Sequence, residues 1–66
     1  MEIIINGETR TVKEDIRLGE LLDALGLRDK VMAAAVNMEV VKKEQWDTRE
    51  LHNEDRVELL DFVGGG

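Results

Sequence analysis

The sequence closes on Asp61-Phe62-Val63-Gly64-Gly65-Gly66, with the last apolar pair set directly against three glycines. Glycine carries the most backbone freedom of any residue and has no Cβ, so such a run is a poor way to finish a fold and a good way to make a thin arm. Three extended residues reach about 10 Å, at roughly 3.3–3.6 Å each, enough to pass a terminal carboxylate through a narrow opening into another protein's active site. The competing reading is an incidental frayed end, since termini are commonly disordered. Few other groups offer chemistry. The chain has no cysteine, which excludes disulfides, thiolate metal sites and a side-chain persulfide. His52 is the only histidine and lacks the partners of a zinc site, so it reads as a solvated turn residue. Carboxylates are spread along every element with no pair marked for acid–base work, and a general acid needs a sheltered cleft that a domain of this size has little room to build. The GGG run is followed by no helix and does not fit a phosphate loop.

The elements that must carry this arm follow from periodicity. Met1 to Asn6 is a short β-branched run, Asn6-Gly7 is a hairpin turn, and Thr9, Thr11 and Val12 alternate in a second strand. Leu18, Leu21, Leu22 and Leu25 fall at i, i+3, i+4 and i+7, which predicts an amphipathic helix over about residues 17–26 capped by Gly26. Asp15 caps that helix or lies just ahead of it, and Gly19 weakens it by roughly 1 kcal/mol relative to alanine, making it dependent on packing. A strand is expected over residues 33–37, then a turn at Asn37-Met38-Glu39, a short strand at Val40-Val41 and a polar link over Lys42 to Asp47 that holds Trp46. Trp46 reads as a core or edge anchor, because aromatics bury large areas and no basic stripe accompanies it. After a turn at His52 to Asp55 comes the last strand, RVELLDFV.

The order predicts an α+β fold, a β-grasp in which one helix covers one face of a mixed sheet of four to five strands. Residues 1–63 form the domain and 64–66 a flexible tail. Alternation sends Val57 and Leu59 into the core, with Ile3, Ile5, Val12, Leu18, Leu21, Leu22, Leu25 and Val41. Leu60 and Phe62 are left on the opposite face, beside Ile4, as an apolar patch next to the tail and a candidate docking surface. The alternative packs them under a loop or the Trp46 segment, or swaps faces through a bulge.

A chain of 66 residues is one domain near the lower size limit, burying only about 60% of its extended surface. Fifteen acidic against nine basic residues give a net charge of −6, a poor match for nucleic acid or an anionic membrane and a better one for a basic protein surface. No apolar stretch approaches the roughly 20 residues of a membrane span and the N-terminus has no signal-peptide pattern, so a soluble, cytoplasmic protein is expected.

The N-terminal hairpin, GELLDALGL at Gly19 to Leu27, AAAVN at Ala33 to Asn37, VVKKEQW at Val40 to Trp46, LHNEDRVELLDFV at Leu51 to Val63 and the Gly-Gly terminus together resemble the ThiS/MoaD family of ubiquitin-like sulfur carriers. The resemblance spans essentially the whole chain. Two positions depart from it: Arg17 stands where threonine is common at the helix cap, and Glu54 precedes Asp55 where Gly-Asp is common. The resemblance implies a carrier and not an enzyme. Its Gly66 carboxylate would be activated by ATP on a ThiF-like adenylyltransferase and converted to a thiocarboxylate by a persulfide sulfur donor. A ThiG-like thiazole synthase would then take the sulfur in thiamine biosynthesis. Gly65 and Gly64 would give clearance in the partner's active site, Leu60, Phe62 and Ile4 would dock the partner, and no metal or cofactor would be bound by the chain itself. Molybdopterin synthesis and conjugation to other proteins in the manner of ubiquitin are the alternative uses of the same terminus.

Overall fold

In the computed structural model, which describes residues 1–61, the chain begins with β1 (Glu2–Ile5) and β2 (Glu8–Thr11) paired antiparallel, Ile5 opposite Glu8. The two residues between them, Asn6 (φ 47°) and Gly7 (φ 87°), both sit at positive φ, the turn whose twist matches a tight hairpin. The helix α1 (Leu18–Leu25) follows, then β3 (Val31–Val36), β4 (Glu39–Val41), a 3₁₀ turn at Lys43–Gln45 and β5 (Arg56–Asp61). The five strands form one sheet in the order β2-β1-β5-β3-β4, with β1 and β5 parallel and the other neighbours antiparallel. This is the expected β-grasp, at the five-strand end of the expected range. The terminal residues 62–66, with the predicted glycine tail, lie outside the described part.

The helix starts one residue later than the pattern suggested, with Arg17 as its extended cap residue. Arginine cannot accept a hydrogen bond, so the cap is built from the other side: the Arg17 backbone N–H donates to Glu20 Oε1 at 2.9 Å, half of a capping box. Asp15 lies ahead of the helix, at φ 60°. At the other end Gly26 (φ 70°) donates to Asp23 O and Leu27 N–H to Leu22 O at 2.8 Å, the Schellman pair of bonds that a left-handed residue permits.

Gly19 has a packing reason. Its N–H donates to Trp46 O at 2.8 Å, and a Cβ there would run into Asp47 Oδ1 and stand 2.6 Å from Arg28 Nη2. The first turn of the helix therefore lies against the Trp46-Asp47 segment. Trp46 is buried, as a core anchor must be, and its indole N–H donates to Val41 O at 3.0 Å.

The core lies between the helix and one sheet face: Ile3, Ile5, Val36, Val41, Val57 and Leu59 from strands against Leu18, Leu21 and Leu22. Two expected members are displaced to its margin. Val12 falls just past the end of β2 and Leu25 in the last helical residue, and both are half-buried. In their place Ile16, Val31, Ala34, Trp46 and Leu51 complete the core. β3 begins two residues before the expected start because its register slips between Val31 and Ala33, leaving Met32 as the extra, exposed residue of a bulge. That slip lets Val31, Ala34 and Val36 all face inward. Ile16 precedes the helix cap at the position of a hydrophobic staple, and it is buried in the same core as Leu21.

Candidate functional site

β5 is the strand from which the terminal residues continue, and it is held more tightly than a ladder alone requires. Its parallel pairing with β1 covers only Ile4 opposite Arg56 and Ile5 opposite Val57. Beyond that, the chain of β1 turns away at Asn6, and the Asn6 side chain takes over. Its Oδ1 accepts from Leu59 N–H at 2.8 Å and its Nδ2 donates to Leu59 O at 3.3 Å, so one amide imitates the next residue of a strand. At the opposite end of β5, Asn37 does the equivalent: Oδ1 accepts from Arg56 N–H at 3.0 Å, and Nδ2 donates to Asp55 Oδ1 at 3.0 Å. Both asparagines sit at positive φ in hairpin turns, at 47° and 51°. Each therefore sets a turn and fixes the central strand.

Asp55 is 9% exposed, and its carboxylate also accepts from His52 N–H at 2.8 Å, closing the turn that enters β5. The His52 side chain is exposed and its ring nitrogen stands 3.8 Å from Asp55. It is a turn residue.

The outward face of β5 presents Arg56, Glu58 and Leu60. Leu60 is 62% exposed and faces Ala33 across the strand pair, Glu58 faces Ala35, and Val40 of β4, 71% exposed, faces Ala35 from the far side. Because the two β3 residues here are alanines, a shallow groove of about 250 Å³ opens, bounded by Asn6, Val40, Glu58 and Leu60 with Ala33 and Ala35 on its floor. Ile4 is half-buried on the same side, paired with Arg56. Leu60 lies four steps along the strand from Arg56, roughly 13 Å at 3.3 Å per residue, so Ile4 and Leu60 are on one face but not in one patch. Ala33, Ala35 and Val40 border Leu60 instead. Sequence reasoning missed them, although the alternation of Ala33 and Ala35 within VMAAAV marked a face with almost no side-chain height. Phe62, Gly64, Gly65 and Gly66 lie outside the described residues.

Charges near the helix are paired. Arg28 reaches Asp23 (Nε to Oδ1, 2.6 Å) and Asp47 (Nη2 to Oδ1, 2.7 Å), and those bonds, Asp23 first, push the guanidinium further toward the charged form. The same contact holds the Asp47 carboxyl below its ordinary range. Glu20 is also held low, first by the Arg17 N–H it accepts and then by Lys13. Glu58 makes no ion pair among the described residues. No group of three or more His, Cys, Asp or Glu among them could hold a metal ion, and no described helix is long and apolar enough to cross a membrane.

The sheet topology, the asparagines bonded to Arg56 and Leu59 of the central strand, and the glycines that follow that strand in the sequence frame the likeness to known proteins. The sequence profile of the ThiS family matches residues 3–66. The chain belongs to the ThiS family. Within that family, the sulfur carrier protein ThiS of Bacillus subtilis is 33% identical over 63 residues, covering 94% of this chain and 96% of the relative. The crystal structure of a ThiS thiamine biosynthesis protein from Geobacter metallireducens superposes with a TM-score of 0.84 at 36% identity, over 100% of both chains. A thiazole synthase of Paramagnetospirillum magneticum is 32% identical over 66 residues, all of this chain but only 20% of the synthase. This ThiS-family chain thus spans about a fifth of the length of such synthases.

Proposed function

We propose that this chain is a sulfur carrier of thiazole formation in thiamine biosynthesis, a co-substrate of partner enzymes and not itself a catalyst. The observation that carries the reading is the family match, which runs from residue 3 through residue 66. The absence of cysteine agrees, because no side chain here can hold a persulfide. Relatives named thiazole synthase, each containing a stretch similar to this chain, favour thiazole over molybdopterin synthesis.

A free carboxylate is a poor acyl electrophile. The Gly66 carboxylate attacks the α-phosphorus of ATP on an adenylyltransferase and pyrophosphate leaves. The terminal sulfur of a persulfide donor then attacks the acyl carbon, AMP departs, and a thiol reduces the resulting acyl disulfide to free the thiocarboxylate. That sulfur passes to the growing thiazole on a synthase. Gly65 and Gly64 supply clearance in the partner's tunnel, and Leu60, Phe62 and Ile4 belong to the docking face.

Incubated with adenylyltransferase, ATP and a persulfide donor, the chain should gain the mass of one oxygen-to-sulfur exchange, located at Gly66 by fragmentation. One residue added after Gly66 should abolish the gain. An unchanged mass in the unmodified chain would reject the carrier role.

A further inference from the structure

We infer that the alanine-floored groove beside Leu60 receives a segment of the adenylating partner in which one arginine or lysine is set among aliphatic side chains, with Glu58 as the residue that selects it. This rests on the carrier reading and adds the chemistry of the partner surface. Three observations converge. Leu60 and Val40 are large, apolar and mostly exposed, and they flank a floor of Ala33 and Ala35 that leaves room for an inserted side chain. Among the described residues Glu58 is the one charged residue lining that groove and has no ion-pair partner, although Arg56 lies on the same face. The chain as a whole carries −6, so a cationic occupant gains from both the local and the global field.

Distance names the owner of that segment. Gly66 is six residues beyond Leu60, a span of at most roughly 22 Å when extended. A partner that holds the Gly66 carboxylate is therefore within reach of the groove. Contacts made in the groove do not involve the reacting carbon, so they are the same in ground and transition states. They must appear in KM and leave kcat alone.

The test is steady-state pyrophosphate release by the adenylating enzyme, with the carrier as varied substrate, using unmodified carrier, Glu58→Lys, Glu58→Gln and, as a control outside the groove, Glu44→Lys. Glu58→Lys should raise KM about tenfold with kcat unchanged. Glu58→Gln should raise it less and flatten its dependence on salt. Glu44→Lys should stay within about twofold. Glu58 is exposed, so melting curves of the variants should match, and Glu58→Gln keeps the test sound if the reversal perturbs the fold. Release by the unmodified carrier together with an unchanged KM for Glu58→Lys overturns the groove assignment alone. No release by the unmodified carrier brings down the carrier reading itself. Sedimentation of the free chain as a dimer that Glu58→Lys dissociates would give the groove to a second copy and overturn the proposal.

Discussion

At the scale of single residues, Asp55, Glu54 and Arg17 show how individual backbone and side-chain groups close the turns and the helix cap. In the turn before β5, the Asp55 carboxylate has two jobs, accepting from His52 N–H and from Asn37 Nδ2. Glu54 adopts φ 70°, a left-handed conformation costing a residue with a Cβ about 1–2 kcal/mol. Its backbone N–H donates to Glu2 O at 2.6 Å, which leaves the turn no freedom to relax the strain. Glu54→Gly should therefore stabilise the protein by about 0.5–1 kcal/mol, the relief of strain less the extra chain entropy of glycine. For a domain of this size that is about 2–8 °C in Tm by calorimetry. A lower Tm would show that the Glu54 side chain contributes something its exposure conceals. Arg17 illustrates the opposite case: the cap survives because the backbone bond to Glu20, not the cap side chain, closes the first turn.

At the scale of elements, the strands, the helix and the two faces of β5 were legible, because period-2 and 3.6-residue patterns and the Asn6-Gly7 turn report local geometry directly. What escaped was set by tertiary contact. The bulge at Met32 breaks the alternation of β3, so Val31 and Ala34 both enter the core in a way no strict period predicts. Leu51 is isolated in sequence and buried only because its N–H donates to Ile16 O, tying the segment before β5 to the start of the helix. The clamping of β5 by asparagines 53 and 19 residues away was equally invisible, since each asparagine already had a sufficient explanation as a turn residue. Asn6→Gly separates the two roles, keeping the positive φ while removing the amide that serves both backbone groups of Leu59. The turn alone would tolerate it. Loss of the clamp should cost about 1–3 kcal/mol, read as a lower denaturant midpoint with unchanged m-value, and should speed amide exchange at Leu59.

At the scale of the whole molecule, stability at low pH depends on the carboxylates whose partners favour the charged form in the folded state, among fifteen acidic groups in the chain. Asp47, held low by Arg28, and Glu20, held low by the Arg17 N–H and Lys13, bind protons less readily folded than unfolded. Where the unfolded state binds more protons, stability rises with pH. Their contribution is thus fully present above the ordinary carboxylate range and disappears as pH falls through the depressed folded values. Protonating unpaired carboxylates works the other way, relieving the repulsion of a chain at −6. Together these terms predict that Tm holds or rises slightly as pH is lowered toward 5 and falls steeply below about 4. The double variant Glu20→Gln, Asp47→Asn should begin from a lower Tm at pH 7 and lose less of it on acidification, because the groups that discriminate folded from unfolded protons are gone. Parallel melting curves of the variant and the parent from pH 7 to pH 2 would show that the acid sensitivity does not come from Glu20 and Asp47.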